Sequence, residues 1–489
     1  MEEIKNNMDS EERFEKVLSE KDIFAIAFGA MIGWGWVILA GYWIRGAGSI
    51  GAMLAFVIAG IMIVFEGLIF AELTSAMPLN GGEQKFSMRA MGKNGSFVCT
   101  WGIILSYISV TAFEACALPS VLQYIFPGIL KGYMYTIAGF KVYASWVAIG
   151  SLSAFLLMMI NIKGAGSAAK LQNFLTYVIA AIGIFLIALA VVKGNTINMN
   201  PFFEHGYKGV LSVAVMTPFM FLGFDVIPQA AEEINVPLKK IGRIMILSIC
   251  MAVLWYVAII FAVSLAMNAN EISHANLVTA DAMKKLWNNR QIAADIVIIG
   301  GAAGILTSWN SFFIGGSRAI CALSEAKLMP QVFAKLHPKH KTPYVSILLV
   351  GILSMIAPFF GQQMLTWLTD AGSFGAVVAY FCVALSFALL RKNEPELERP
   401  YKIKNAKFVG TMAILLTGGM LMLYMPGMPS GFKVQEFIII LGWSLLGFIS
   451  YYISLKSWRK KGYTDEMMFG DIPYYQRKNI KKREIKNRK

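Results

Sequence analysis

Residues 29–41 read GAMIGWGWVILAG and lie inside the first long apolar run of the chain. Glycines stand at 29, 33, 35 and 41 of this stretch. A glycine in a helix interior costs ~1 kcal/mol relative to alanine, so the run is weakest where a membrane span should be strongest. Two readings compete. Small residues let a neighbouring helix approach closely, or the backbone unwinds around a ligand. The rest of the chain separates them.

Of the 489 residues, 57% are hydrophobic and 15% are charged, with a mean hydropathy of +0.59. Soluble domains carry roughly 25% charged residues, so this is a polytopic membrane protein whose first partner is the lipid bilayer. Apolar segments fall near 23–45, 50–77, 97–126, 142–162, 170–193, 209–231, 243–268, 291–321, 343–360, 365–391, 408–427 and 434–456, twelve candidate spans in all. With the N-terminus in the cytoplasm, 35 of the 44 Lys and Arg fall in cytoplasmic segments and 9 outside. The positive-inside rule therefore puts both termini in the cytoplasm. It also explains the net charge of +15 without nucleic acid. The tail, ending KNIKKREIKNRK, reads as a solvated topology anchor. In the longest outside connection, 267–290, ADAMKKLW reads as a short amphipathic helix over the external mouth. The five cysteines sit in or beside apolar runs without metal-ligand spacing, and no cofactor or metal centre is expected. None of the four histidines falls within a span.

The sixth span, VAVMTPFMFLGFDVIPQAAEEI at 213–234, holds Pro218, Gly223, Asp225 and Pro228. Each proline removes a helical N–H, and Asp225 is a charge at membrane depth. Interruptions in two spans five apart point to an inverted repeat with its binding site at the breaks. An unwound turn exposes N–H groups at one half-helix start and carbonyls at the other half-helix end, ready partners for a carboxylate and an ammonium. The paired interruption favours unwinding over close packing for residues 29–41.

Several stretches then carry a family resemblance. GAMIGWGWVIL resembles the first-span motif of the amino acid–polyamine–organocation transporter superfamily, and FMFLGFDVIPQAAEEINVPLKKIGRI resembles its sixth-span motif. AELTSAMPLNGGEQKFSMRAMG (71–92), SRAICALSEAKLMP followed by TPYVS, and LRKNEPELERPYKI (390–403) resemble further signatures in the family's order. The match covers about residues 22–456. It implies an all-α membrane fold of about 12 helices, a 5+5 inverted-repeat core with broken helices 1 and 6, and two C-terminal helices. The implied organisation is a cytoplasmic segment 1–22, a first repeat 23–193, a second, inverted repeat 209–391, helices 11–12 over 408–456, and a basic cytoplasmic tail 457–489.

The resemblance also implies alternating-access transport of amino acids or related amines. By motif position, amides near Ile32, Gly33, Trp34 and Gly35 would receive a substrate carboxylate. Carbonyls near Ala30, Met31 and Phe219–Leu222 would receive the α-amino group. Phe219 and Trp309 match pocket aromatics, and Asp225 matches an acidic residue that couples gating to protonation in some members. Two positions depart from the pattern. Trp34 replaces the usual serine or threonine, and either enters the cavity, restricting the substrate, or packs outward. Ile179 stands where many relatives carry a lysine in place of a sodium ion, with Lys170 and Lys193 only at the ends of that span.

The remaining polar residues in the spans are weighed individually. Asp225 is either a proton carrier or a hinge residue bonded to the broken backbone. Glu114 serves either the proton pathway or packing, and Glu66 sits on a helix peripheral to the pathway in the resembled fold. Asp295 lies near the outer end of the eighth span, where a charge is cheap. Thr307 and Ser308 are sodium-ligand candidates unless their hydroxyls bond their own helix. No nucleophile–base or metal constellation lies within the spans, so no enzyme is expected. The expected function is secondary active, proton-coupled transport of an amino acid or related amine, with a neutral amino acid as the favoured substrate class. Exchange of amines, sodium coupling, and a sensing receptor without transport are the alternatives.

Overall fold

The structure is a computed structural model that describes residues 14–477 apart from 138, 276, 429 and 430, with the side chains at 215, 218 and 362–366 outside that description. Residues 1–13 of the N-terminal segment and the tail cluster 478–489 thus lie outside the described residues. Among the described residues ten helices are long and apolar enough to cross a membrane. The expected twelve crossings therefore need two irregular ones. Tyr344–Phe360 is apolar but short. The sixth is broken into pieces, each too short to span alone.

The first span begins with α1, Glu20–Met31, where the Asp22 carboxylate accepts from both the N–H and the hydroxyl of Ser19 at 2.8 and 2.6 Å. That reciprocal cap sets the helix start. After the break come a single turn, Gly35–Ile38, and α2, Ala40–Ala47. The next elements are α3 (Ser49–Ala76), α4 (Glu83–Ile125), α5 (Ala144–Ile162) and α6 (Ala165–Lys193). α4 is longer than the expected third span because a kink at Gly92 (φ +76°) joins a preceding segment to it. A two-stranded antiparallel hairpin, β1 (Tyr133–Ile137) and β2 (Phe140–Tyr143), connects α4 to α5.

The sixth crossing runs from α7, Gly206–Met216, through a 3₁₀ turn at Thr217–Phe221, to the single turn Val226–Gln229. α8 (Leu238–Ala266), α9 (Ala269–His274) and α10 (Val278–Leu286) follow. α10 contains the expected amphipathic stretch, with Met283 and Leu286 buried and Thr279 donating to the Trp36 carbonyl at 2.8 Å. α11 (Gln291–Glu325) runs past its membrane segment, and α12 (Tyr344–Ile356), α13 (Gly361–Asn393), α14 (Ala406–Leu423) and α15 (Val434–Lys460) complete the bundle. A last helix, α16 (Asp465–Phe469), is held to α4 by an ion pair between Asp465 and Lys93.

The centre of the bundle is α1, α4, α8 and α11, whose facing side chains form one large buried core. α14 and α15 lie at its edge and leave residues such as Leu415, Leu441 and Phe448 exposed, as a lipid-facing surface requires. α15 is anchored by Trp101 and Trp443, which stack at 4.4 Å and each donate an indole N–H to the other's carbonyl. The molecule is a multi-pass membrane protein of helices, with one small hairpin.

Candidate functional site

The two interruptions meet. Gly223 has φ +136°, a conformation L side chains rarely adopt, and a Cβ there would lie 2.4 Å from Ala30 Cβ and 3.2 Å from the Met31 nitrogen. Only glycine allows this approach of one broken backbone to the other. The first break is Ile32–Trp34: Ile32 still donates to the Phe28 carbonyl at 3.1 Å, and helical bonding resumes with Val37 and Ile38 donating to the Trp34 carbonyl at 3.0 and 3.4 Å. Among the described residues the amides of Gly33 and Trp34 find no backbone acceptor. Such orphan donors at a helix start are anion partners.

The carbonyls before this break are largely taken by side chains. Gln172 donates to Ala25 at 3.0 Å, Ser311 to Ile26 at 2.9 Å, Thr307 to Gly29 at 3.0 Å and Tyr256 to Met31 at 2.7 Å. The Thr307 hydroxyl also lies 2.9 Å from the Gly304 carbonyl of its own helix. These bonds brace α1 against α6, α8 and α11, so the break is localised rather than spread along the helix. Glu114 on α4 reaches the same place. One of its oxygens lies 3.4 Å from a Cβ built on Gly33, and its carboxyl hydrogen-bonds with Ser308. Its other oxygen is buried without a partner among the described residues.

At the second break Asp225 is fully buried and spans the unwound turn. Its Oδ1 accepts from the Gly223 amide at 2.8 Å, and its Oδ2 accepts from Tyr107 at 2.6 Å. A carboxyl so placed couples the shape of the turn to α4. Gln229, one turn further on, donates to the buried Glu83 at the start of α4.

The tryptophans fall elsewhere. Trp34 packs on Gly301 of α11, so closely that a Cβ at 301 would sit 1.9 Å from its ring. Of the two readings open from sequence, packing is the one observed. Trp309 is buried and donates to Ser354 of α12 at 3.0 Å, which in turn donates to the Thr111 carbonyl at 2.7 Å. It therefore lies on the face of α11 away from the breaks.

A cavity of about 520 Å³ runs from the 431–436 region, where the connection of α14 to α15 lies, down to Glu66 on α3. Of the residues singled out from sequence for the substrate, Phe219 and Leu222 line it, while 30–35 and Trp309 do not. Glu66 was read as peripheral, yet it faces this cavity.

The face that carries the N-terminus is closed. Arg318 and Glu233 form a doubly bonded ion pair at 2.7 and 3.0 Å, both buried. Arg318 lies near the end of the apolar segment 291–321, and α11, which continues to Glu325, holds it in the interior. Val17 and Leu18 donate to the Glu233 carbonyl, and Asn235 donates to Leu18, so the N-terminal segment is stitched to the end of the sixth crossing. Asn80 and Glu232 exchange two hydrogen bonds at 3.1 and 2.8 Å. Glu72 pairs with Arg391 at 2.5 Å and Arg399 at 3.1 Å, so the AEL and LRKNEPELERP signatures hold each other. Sequence offered one sign of these clamps, ionisable residues at span ends, but not their partners.

A bundle of apolar helices with two broken crossings in contact, closed at one face and hollow toward the other, defines a membrane transporter. The sequence pattern of the amino acid permease family matches residues 18–449, and the chain belongs to that family. It is 26% identical over 461 residues to the branched-chain amino acid permease BcaP of Bacillus subtilis, covering 91% of this chain and 94% of that one. It is 24% identical to the methylthioribose transporter of the same organism, covering 90% and 93% of the two chains. The aspartate-proton symporter of Bacillus subtilis is also 24% identical, over 84% of this chain and 79% of its own. This chain is a transporter, not an enzyme.

Proposed function

We propose that the chain carries an amino acid or related amine across the membrane by alternating access, coupled to protons through Asp225. The observation that carries this reading is the contact of the two breaks at Gly223 and Ala30, beside amides with no backbone acceptor. The substrate carboxylate takes the amides of 32–35. Its α-amino group takes the carbonyls near Ala30 and around Phe219–Leu222, and displaces Tyr256 if it uses Met31. Phe219 closes over it from the cavity side, with Trp309 positioning α11 from behind. A neutral amino acid suits these groups, since the apolar runs of both breaks, 29–41 and 213–231, carry no Lys or Arg to select a dicarboxylic one. The repeats are 23–193 and 209–391, with both termini cytoplasmic.

Asp225 touches both the unwound turn and Tyr107 on α4, so adding a proton weakens the charged acceptor that holds the turn and turns one oxygen into a donor. Glu114, beside Gly33 with one oxygen unbonded, is the second proton carrier. Support for a symport mechanism comes from the name of the aspartate-proton symporter. Sodium held by Thr307 and Ser308 is the less favoured coupling, because the single Thr307 hydroxyl proton is engaged between the Gly29 and Gly304 carbonyls.

Counterflow in proteoliposomes tests the reading. Vesicles loaded with an unlabelled amino acid should transiently accumulate the labelled compound, and failure across neutral amino acids and amines with folded protein would reject transport of this class. In Asp225→Asn, counterflow should persist while accumulation driven by a proton gradient disappears. Retained accumulation would remove Asp225 from coupling. In Gly35→Leu, binding should be lost, because a side chain there meets Met220 across the breaks, its Sδ being 2.7 Å from a Cβ.

A further inference from the structure

The cavity beside the breaks holds a carboxyl group with nothing to bond. Glu66 is 2% exposed, lines the cavity, and neither of its oxygens has a hydrogen-bond partner among the described residues. A buried carboxyl needs a proton, a cation or donors on its oxygens, and one that faces a cavity with both oxygens free is placed to take a cation from a ligand. Trp43, Phe113 and Phe219 line the same space, with the hydroxyls of Tyr380 and Thr417 also on its wall.

The mouth carries the same sign. Asp370 and Glu436 line the cavity side by side, close enough for their carboxyls to hydrogen-bond. One cation shares the mouth, Lys433, whose ammonium is 3.8 Å from Glu436 and whose side chain is 65% exposed. Three carboxyls against one solvent-facing ammonium make a path that concentrates cations toward its closed end. A space of about 520 Å³ falls in the size range of small-ligand sites. Its lining combines an acidic end with ring faces, which bind an ammonium by charge and by cation–π attraction.

We infer that this cavity is a binding site for a primary organic ammonium on an apolar or aromatic body, with Glu66 as the ammonium's partner. Glu66 lines a space that residues 30–35 do not reach, while Phe219 and Leu222 form the wall this space shares with the substrate position proposed at the breaks. The same ammonium chemistry comes from two sources, a substrate on its way to the breaks or a separate amine that stays in the cavity. The ring of the ligand lies among Trp43, Phe113 and Phe219, and its ammonium reaches Glu66. An occupant in this position blocks the closing movement of Phe219, which lines the same wall.

Phenethylammonium and its neutral counterpart 2-phenylethanol serve as probes, titrated into the full chain in lipid nanodiscs with empty nanodiscs subtracted. Saturable phenethylammonium binding, at least tenfold tighter than the alcohol and weakened at least tenfold by Glu66→Gln, supports the site. Equal affinity for the two probes, no binding to the wild type, or an unchanged affinity in Glu66→Gln overturns it. If Glu66→Gln does not fold, Glu66→Asp and the wild-type comparison of amine with alcohol decide. Gly33→Ala separates the two positions, because a side chain there meets Ser308 and Glu114, which do not line the cavity: retained phenethylammonium affinity supports a site in the cavity, and its loss places the amine at the breaks and overturns the inference. Phenethylammonium added to wild-type counterflow then separates the sources. Uptake of the labelled amine identifies a substrate in transit, and inhibition without uptake identifies a resident amine, both with the site intact. A failure of counterflow for every compound, with amine binding intact, removes the transport reading and leaves this site standing.

Discussion

The two faces of the bundle differ in how they treat charge. At the N-terminal face the buried carboxylates of Glu72 and Glu233 are matched by Arg391, Arg399 and Arg318. Toward the opposite face Glu66 is buried with no hydrogen-bond partner among the described residues, and Asp370 and Glu436 stand together at a cavity mouth. Matched ions lock helices in one arrangement, because separating them strands a charge in low dielectric. Unmatched ones invite a ligand or a proton. The contrast means that in this conformation the molecule is closed at one face and receptive at the other, with the two breaks between.

The largest effect expected is at the closed face. Arg318→Ala leaves Glu233 buried and unpaired, which costs about 3–5 kcal/mol. It should lower thermal stability sharply and expose a cysteine introduced near Leu18 to a thiol reagent, while Arg318→Met with Glu233→Leu should restore most of the stability. If the single variant melts like wild type, the pair is not the lock and the contrast between the faces collapses.

Between the faces, Gly223→Ala forces a side chain into a positive-φ position and against Ala30. Strain and overpacking together cost about 2–4 kcal/mol. The variant should lose transport, and its thermal melt should fall less than that of Arg318→Ala. Full activity with unchanged melting would show that the breaks need not touch.

The smallest effect concerns an exposed pair at the opposite face, Lys285 and Glu271, at 2.7 Å. Partial burial pushes the Glu271 carboxyl up, but the Lys285 ammonium and the Asn268 amide outweigh it and hold the group below its ordinary value. The stabilisation is therefore present above the ordinary carboxylate range and disappears as pH falls through the lower folded value. Glu271→Gln should cost about 0.5 kcal/mol at pH 7, as exposed pairs do, and the difference in melting from wild type should close below about pH 4. A difference that survives at acid pH would assign the effect to the Asn268 cap instead.

Residues 29–41 and 213–234 could be read as breaks because the cause is local. A glycine or proline weakens a helix through its own backbone, whatever surrounds it. The spans were legible for the same reason, since crossing a bilayer demands a run of apolar residues. Even the helix at 278–286 showed in its own periodicity. Direction and partnership were not local. Trp34 turns toward Gly301, Arg318 finds Glu233, and Trp309 faces Ser354, each across a large separation in sequence.

Glu66 shows the limit most clearly. Its sequence context, an acidic residue in an apolar run, says only that burial is costly. Whether that cost is met by a partner, a proton or a cavity depends on helices hundreds of residues away, and here α13 and α14 supply much of the cavity's lining. The sequence by itself determined a membrane transporter with two broken spans, because length, hydropathy and backbone chemistry are properties of single segments. Tertiary structure alone decided which charges are locked and which are free to meet a ligand, because a charge's energy is set by neighbours that only the packed bundle supplies.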